Sequence, residues 1–336
     1  MVKVSNRLQS GGFIMSQKDA SACVHCHKCR DNCSFLKKYG IDIGDIERLK
    51  ELAYHCFLCG KCTEVCPINI DGRQTVIDFR RERVRTEERT QIEKTYKGAL
   101  SEKRNYKFRN WKHASTGSVF FPGCNFPSLF PKTCSKASEI FEKHGIGTVF
   151  ECCGKPVGEL GFASDEERIF DEIRSRLREN GIDEIIVACP NCRGFFGDKL
   201  GVKVTGVYAK LKELGEGREL MMDARFFLPC PDRQGSIWME EIKEFIKGEI
   251  TYVEGVQCCG LGGNAIVKEK EISQGFTEEF KRQNPGDVYT YCASCTGRIV
   301  RNGFRSINHI LPLILETGEK PDTSKSYLNR VFTKFK

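Results

Sequence analysis

Two vicinal cysteine pairs, Cys152-Cys153-Gly154 and Cys258-Cys259-Gly260, pose the first chemical question of this chain. Adjacent cysteines close a disulfide on each other only through a strained turn, so a pair of this kind asks for another partner. Each pair is preceded by a lone cysteine (Cys124, Cys230) and followed by a Cys-x-x-Cys step (Cys189/Cys192, Cys292/Cys295). Corresponding positions are offset by 106 residues for the first three cysteines and by 103 for the last two, which marks a duplicated unit. The N-terminal third holds two further runs, Cys23-x-x-Cys26-x-x-Cys29-x-x-x-Cys33 and Cys56-x-x-Cys59-x-x-Cys62-x-x-x-Cys66-Pro67. Of the 19 cysteines, only Cys134 falls outside these sets, and it reads as a buried thiol.

Metal ligation explains this inventory better than disulfides. The chain is 336 residues long and opens without an apolar run of signal-peptide type, and its thiols recur as Cys-x-x-Cys. The two N-terminal runs have the spacing of bacterial ferredoxins. Two-residue gaps let three thiolates of one tight loop reach three irons of a cubane, and the fourth cysteine serves the neighbouring cluster. On that logic Cys23, Cys26, Cys29 and Cys66 hold one [4Fe–4S] cluster, and Cys56, Cys59, Cys62 and Cys33 hold the other. Ser34 stands where a proline usually follows the fourth cysteine. Zinc is the competing ligand, but its sites rarely use a third cysteine at the same step and a fourth three residues on, twice over. His25, His27 and His55 flank the ligands and are expected to hydrogen-bond or shield the clusters.

Length allows two to three domains, and 40% hydrophobic with 29% charged residues describes an ordinary globular chain. No stretch nears the roughly 20 apolar residues of a spanning helix, so a cytoplasmic location is expected. The net charge of +8 is concentrated in residues 73–112, where thirteen Lys/Arg meet six Asp/Glu. Without a nucleic-acid-binding motif this reads as a solvated helix face, and no nucleic-acid partner is expected. No Gly-x-Gly-x-x-Gly fingerprint occurs, so flavin or nicotinamide chemistry would sit on a partner.

These ligands must be positioned by secondary structure. Residues 1–20 read as a flexible leader and 21–100 as an α-helical module, with Ile46, Leu49, Leu52 and Ala53 at helical spacing. Val76 to about Lys97 reads as a long exposed helix, and residues 101–116 as a linker. Within 117–222 and again within 223–316, short apolar strands alternate with helices, the pattern of an α/β unit with a parallel sheet. The strands are 118–121, 148–151 and 185–187, then 225–228, 250–253 and 288–291. Ser164 with Glu167 suggests a capping box opening a helix that carries Ile169, Phe170, Ile173 and Leu177 on one side. Each cysteine group falls just past a strand's C-terminal end, the edge where open α/β sheets bind ligands. Asn191, Gly262, Gly263 and Asn264 flank the groups, the glycines permitting close approach of a backbone, cluster or substrate. Residues 317–336 read as a basic tail. The fold class expected is thus α + α/β.

The block Cys-x27-Cys-Cys-Gly-x34-Cys-x-x-Cys resembles the cysteine-rich CCG domain of heterodisulfide reductases, and the preceding module resembles their ferredoxin-type subunit. The whole is similar to a fusion of the two, and to the iron–sulfur subunit of anaerobic glycerol-3-phosphate dehydrogenase. The resemblance implies a noncubane [4Fe–4S] cluster on Cys124, Cys152, Cys153, Cys189 and Cys192, and a second on Cys230, Cys258, Cys259, Cys292 and Cys295. Five thiols exceed what one cubane or one zinc takes. The resemblance further implies reduction of a disulfide or similar small acceptor, with electrons from a flavin-containing donor subunit or other redox partner. The alternative is a relay subunit linking a flavoprotein dehydrogenase to quinone, with peripheral membrane association.

Overall fold

The computed structural model describes residues 19–233 and 235–335; most of the expected leader, residues 1–18, lies outside them. Two sheets form the frame. Strands β1 (Asn110–His113), β2 (Gly117–Phe121), β3 (Gly147–Phe150), β4 (Ile182–Val187) and β5 (Lys203–Gly206) build the first, in the order β1-β3-β2-β4-β5. Strands β6 (Ala224–Phe226), β7 (Ile250–Tyr252), β8 (Val288–Thr290) and β9 (Ile307–His309) build the second, in the order β7-β6-β8-β9. All neighbours are parallel except β1, which pairs antiparallel with β3. Without β1 the two sheets have one topology, as a duplication requires. One apolar core runs from the first sheet into the second repeat, taking in Phe120, Phe121, Ile185 and Ile186 with Phe226, Trp238 and Tyr291.

Several expectations are corrected. The long exposed helix over 76–97 is three helices, Gly72–Val84, Arg89–Thr95 and Lys97–Lys103. Val76, Arg80 and Val84 form a buried stripe at four-residue spacing, which the density of charge concealed. The chain breaks where Thr86 Oγ1 donates to the carbonyl of Arg83 and accepts from the amide of Glu88. Residues 101–116 are not an extended linker, because the end of a helix and the edge strand β1 lie within them. The capping box does not form: the helix Ala163–Glu179 is capped at Phe162, and Ser164 and Glu167 lie inside it. Its apolar residues Ile169, Phe170, Ile173 and Leu177 are buried as expected. The basic tail contains a helix, Ser326–Thr333, that turns a polar side inward. Asn329 donates to the carbonyl of Ser128 at 3.0 Å and Asn110 to that of Thr333 at 3.0 Å. Val331 packs with Tyr106 and Phe108 against Cys124 and Cys152, so this segment covers the first cysteine set.

The first sheet carries a buried electrostatic tie. Glu184 on β4 accepts from Lys210 at 2.8 Å, Lys203 at 3.1 Å, Thr205 at 2.5 Å and Ser118 at 3.0 Å. Burial pushes its pKa up, but these four donors prevail and hold it at about 2, below the ordinary 4.5. A depressed carboxylate stabilises the fold above its unfolded pKa, and that contribution disappears as pH falls from about 4.5 towards 2. Glu184→Gln is expected to cost about 1–2 kcal/mol at neutral pH after solvent screening. Its melting temperature should also fall less steeply than that of the parent between pH 4.5 and 2. Thermal denaturation followed by circular dichroism across that range checks both.

Candidate functional site

The two N-terminal cysteine loops share a backbone. The residues two and four places after the first cysteine are left-handed in both: His25 (φ 48°) and His27 (φ 63°), then Leu58 (φ 51°) and Gly60 (φ 74°). Such geometry is costly for His and Leu and persists where the surroundings demand it. Amides in these loops point at sulfur: His25 at Cys23 (3.4 Å), Leu58 at Cys56 (3.3 Å), Ile43 at Cys29 (3.4 Å) and Ile70 at Cys66 (3.3 Å). Cys23, Cys26, Cys29 and Cys66 surround one cavity. Cys62 lies within electrostatic reach of Cys33, Cys56 and Cys59, and also of Cys29 from the first group.

In both repeats the doublet's glycine, Gly154 (φ 80°) and Gly260 (φ 79°), adopts the left-handed turn that favours glycine. Cys189 and Cys292 each sit at a helix N-cap, with Cys192 and Cys295 in the first turn (Pro190–Phe196, Ala293–Arg301). The positive end of a helix favours thiolates there. Within the first repeat the thiols touch in sequence: Cys124 with Cys152, Cys152 with Cys153, Cys153 with Cys192 and Cys192 with Cys189. Within the second, Cys258 touches Cys259, Cys259 touches Cys295 and Cys295 touches Cys292, while Cys230 lies within electrostatic reach of Cys259. Two contacts cross between groups. Cys189 meets Cys292 of the other repeat, and Cys59 of the N-terminal region meets Cys258.

Crowding divides these thiols. Contacts with Cys152 and Cys192 pull Cys153 down to about 5, and contact with Cys258 pulls Cys59 down to about 5. Their neighbours move the other way: burial raises Cys33 to about 12 and Cys56 to about 11. A set that cannot all ionise alone is suited to a polycationic core that takes every sulfur as thiolate. Nearby cations add to the fit. Lys103 lies near Cys124 and Cys152; burial opposes its charge, but those thiols and Glu102 outweigh it and raise its pKa. Arg73, Lys155 and Arg233 lie near Cys230, and Arg73 keeps a buried Nε with no hydrogen-bond partner among the described residues. Cβ atoms at Gly44 and Gly72 would fall 2.8 Å from Cys23 Sγ and 2.7 Å from Cys62 Sγ, so the backbone there is pressed against the cysteine groups.

The flanking residues are placed as follows. Asn191 donates across the repeats to Cys292 Sγ at 3.3 Å. Gly262 and Gly263 approach backbone, since Cβ atoms there would lie 2.2 Å from the Phe57 carbonyl and 2.6 Å from that of Cys56. Asn264 continues that left-handed bend (φ 52°). His25 and His27 face Asp42 at 3.4 and 2.6 Å. His55 meets the buried Glu269 at 2.6 Å, where Tyr39 and Lys38 also converge at 2.7 and 2.6 Å.

Residues the motifs did not reveal tie the groups together. Arg80, fully buried, donates to the carbonyls of Ala53 (3.0 Å), Cys56 (2.8 Å), Glu159 (2.7 Å) and Gly263 (2.8 Å). One side chain thereby joins the N-terminal region to both repeats. Val76 and Val84 flank it at four-residue spacing on the buried face, but the arginine itself carries no mark in the sequence. His309 is buried, accepts from the amide of Leu311 at 3.3 Å, and is held neutral by burial, its pKa lowered to about 3.

This arrangement defines a protein with two cysteine-rich α/β units, and the comparison with known families agrees. The cysteine-rich domain family CCG matches residues 118–197 and 225–300. An iron–sulfur protein of Methanocaldococcus jannaschii is 21% identical, the match covering 84% of this chain and 68% of that one. One of Methanococcus maripaludis is 23% identical over 76% of this chain and 62% of its own length. A component of the fumarate reductase (CoM/CoB) of Methanothermobacter marburgensis is 24% identical over 83% of this chain and 67% of its own. The chain carries the CCG cysteine-rich domain twice, and the relatives it resembles are iron–sulfur proteins and a fumarate reductase (CoM/CoB) subunit. It spans about two thirds of the length of these relatives. Among the described residues no helix is long and apolar enough to cross a membrane.

Proposed function

We propose that the chain is the iron–sulfur oxidoreductase subunit of a larger complex, carrying electrons to a disulfide or similar small acceptor. Cys23, Cys26, Cys29 and Cys66 would hold one cubane, and Cys33, Cys56, Cys59 and Cys62 the other. The five cysteines of each repeat would hold a noncubane cluster apiece. When bound, these groups supply one-electron steps, two of which with two protons convert a disulfide R–S–S–R into two thiols RSH. The residues themselves exclude water, since Cys152, Cys153, Cys258, Cys259 and Cys292 are all buried. Lys103, Arg73, Lys155 and Arg233 offset the negative charge of the thiolates.

The observation that carries this reading is the run of sulfurs in contact from Cys59 through Cys258, Cys259, Cys295 and Cys292 to Cys189, with Cys62 and Cys29 within electrostatic reach of its N-terminal end. A structural zinc protein has no use for such continuity. The Methanothermobacter relative is itself one component of a multi-subunit reductase, which supports a partner for this chain, here the flavin-containing donor. Anaerobic purification, iron analysis and EPR under redox titration test the proposal. About sixteen irons per chain are expected for four clusters. The spectrum of the repeat clusters should change on adding a disulfide. A content of about eight irons, with a spectrum indifferent to every disulfide and responsive to quinone, would leave only the relay role.

A further inference from the structure

Gln257 immediately precedes the second doublet, at the position that Glu151 holds in the first. Glu151 keeps its partners beside the first sheet. It accepts from Arg109, from Trp111 at 3.4 Å and from the amide of Cys152 at 2.9 Å. The Gln257 side chain instead reaches out of its repeat. Its Nε2 donates to Cys33 Sγ at 3.5 Å and to Cys59 Sγ at 3.4 Å, two cysteines of one N-terminal group. Its Oε1 accepts from the Ser34 amide at 2.8 Å and from Ser34 Oγ at 3.0 Å.

The orientation of this amide is determined by chemistry. A backbone N–H is only a donor, so the end facing Ser34 N must be the oxygen, and the NH2 group must face the sulfurs. That backbone donor exists only because residue 34 is not proline. The second run keeps the usual Cys66-Pro67, and a proline there has no N–H to offer an acceptor. The departure from the ferredoxin pattern at Ser34 therefore has a use.

We infer that Ser34 and Gln257 form a device that sets the reduction potential of the cluster on Cys33, Cys56, Cys59 and Cys62, and matches it to the second repeat. The inference rests on the assignment of those four cysteines to one cluster. Two N–H groups on the ligand sulfurs stabilise the reduced, more negative state and raise its potential. The donor comes from the residue next to Cys258, itself in contact with Cys59, so the potential is set by the repeat that receives the electron. Gln257 is thus a positioning residue that acts through sulfur.

The test is an EPR-monitored redox titration of the full chain purified anaerobically, with iron analysis of every variant. Gln257→Leu is expected to shift one of the two cubane signals to lower potential by about tenfold in its one-electron reduction equilibrium, which is 59 mV, leaving the other unmoved. Ser34→Pro should shift the same signal the same way, because the amide loses its anchor. Gln257→Glu, which keeps the shape, should shift it further by placing a carboxylate against thiolates. Ser34→Ala, which retains the N–H, should shift it least. Iron-replete Gln257→Leu and Gln257→Glu proteins with both signals at the parental potential would overturn the inference. A parent chain without two cubane signals would overturn the cluster assignment and the inference together. If Gln257→Leu fails to load iron, Gln257→Glu and Ser34→Ala decide, a graded shift supporting the inference and an unmoved signal rejecting it.

Discussion

Arg80→Met is expected to destabilise the chain by about 4–5 kcal/mol or more, enough to remove most of a domain's net stability. Arg80 makes no carboxylate hydrogen bond; its four partners are carbonyls in three regions of the chain. Methionine fills much of the volume but leaves those oxygens buried and unmatched, at about 1–3 kcal/mol each before water relaxes part of the loss. The guanidinium also lies 4.9 Å from the Tyr54 ring, and Tyr54 itself donates to the carbonyl of Leu160 at 2.9 Å. Loss of Arg80 would therefore loosen the seam between the N-terminal region and the first repeat as well. Arg80→Lys restores the charge but not the fork of donors, and it should recover less than half of the loss. Denaturant titration with limited proteolysis checks this: the expected result is early cleavage between residues 85 and 117, ahead of cleavage in either sheet. A variant as stable and protease-resistant as the parent would show that the four contacts are dispensable.

Cys258→Ser is expected to lower iron by about four per chain and acceptor reduction by at least about 100-fold, while the N-terminal signals still reduce. Cys258 touches both Cys259 and Cys59, so it belongs to its own group and to the junction with the N-terminal one. Serine keeps the shape but is a poor iron ligand. The matching control is Cys134→Ser. Cys134 is buried in the helix Pro131–Lys143, outside every ligand group, and its replacement should leave the iron content unchanged. Iron analysis and stopped-flow reduction of the two variants side by side separate loss of a ligand from loss of a buried thiol.

The cysteine groups were legible because ligand spacing is a local property, fixed by loop geometry and repeated in both halves. The strands before Cys124, Cys152, Cys189, Cys230, Cys258 and Cys292 were legible for a related reason: short runs such as Val119-Phe120-Phe121 are apolar on both faces and stop at a turn. Strand β1 was not legible, because Asn110–His113 is polar and gains its extended form only by pairing with β3. Arg80, Glu269 and Gln257 were hidden for a different reason. Their partners lie far away in sequence, 223 residues in the case of Gln257 and Ser34, and a lone Arg, Glu or Gln in a charged stretch carries no periodic mark. The capping box failed because the helix starts two residues earlier than a Ser164 cap would place it, with Phe162 as the cap, moving Ser164 inside.

The two copies of the repeat are alike in topology, but among the described residues only the second meets an N-terminal thiol through one of its own, at Cys59 and Cys258, and the first is reached through Cys292 and Cys189. Under the proposed function, duplicated units wired in this way would form a series circuit. Lesions in them should therefore be epistatic: a break in the second copy silences any lesion in the first, while a break in the first leaves the second still charged. On that reading the copies, descended from one ancestral unit, would be a junction and a terminus and no longer interchangeable.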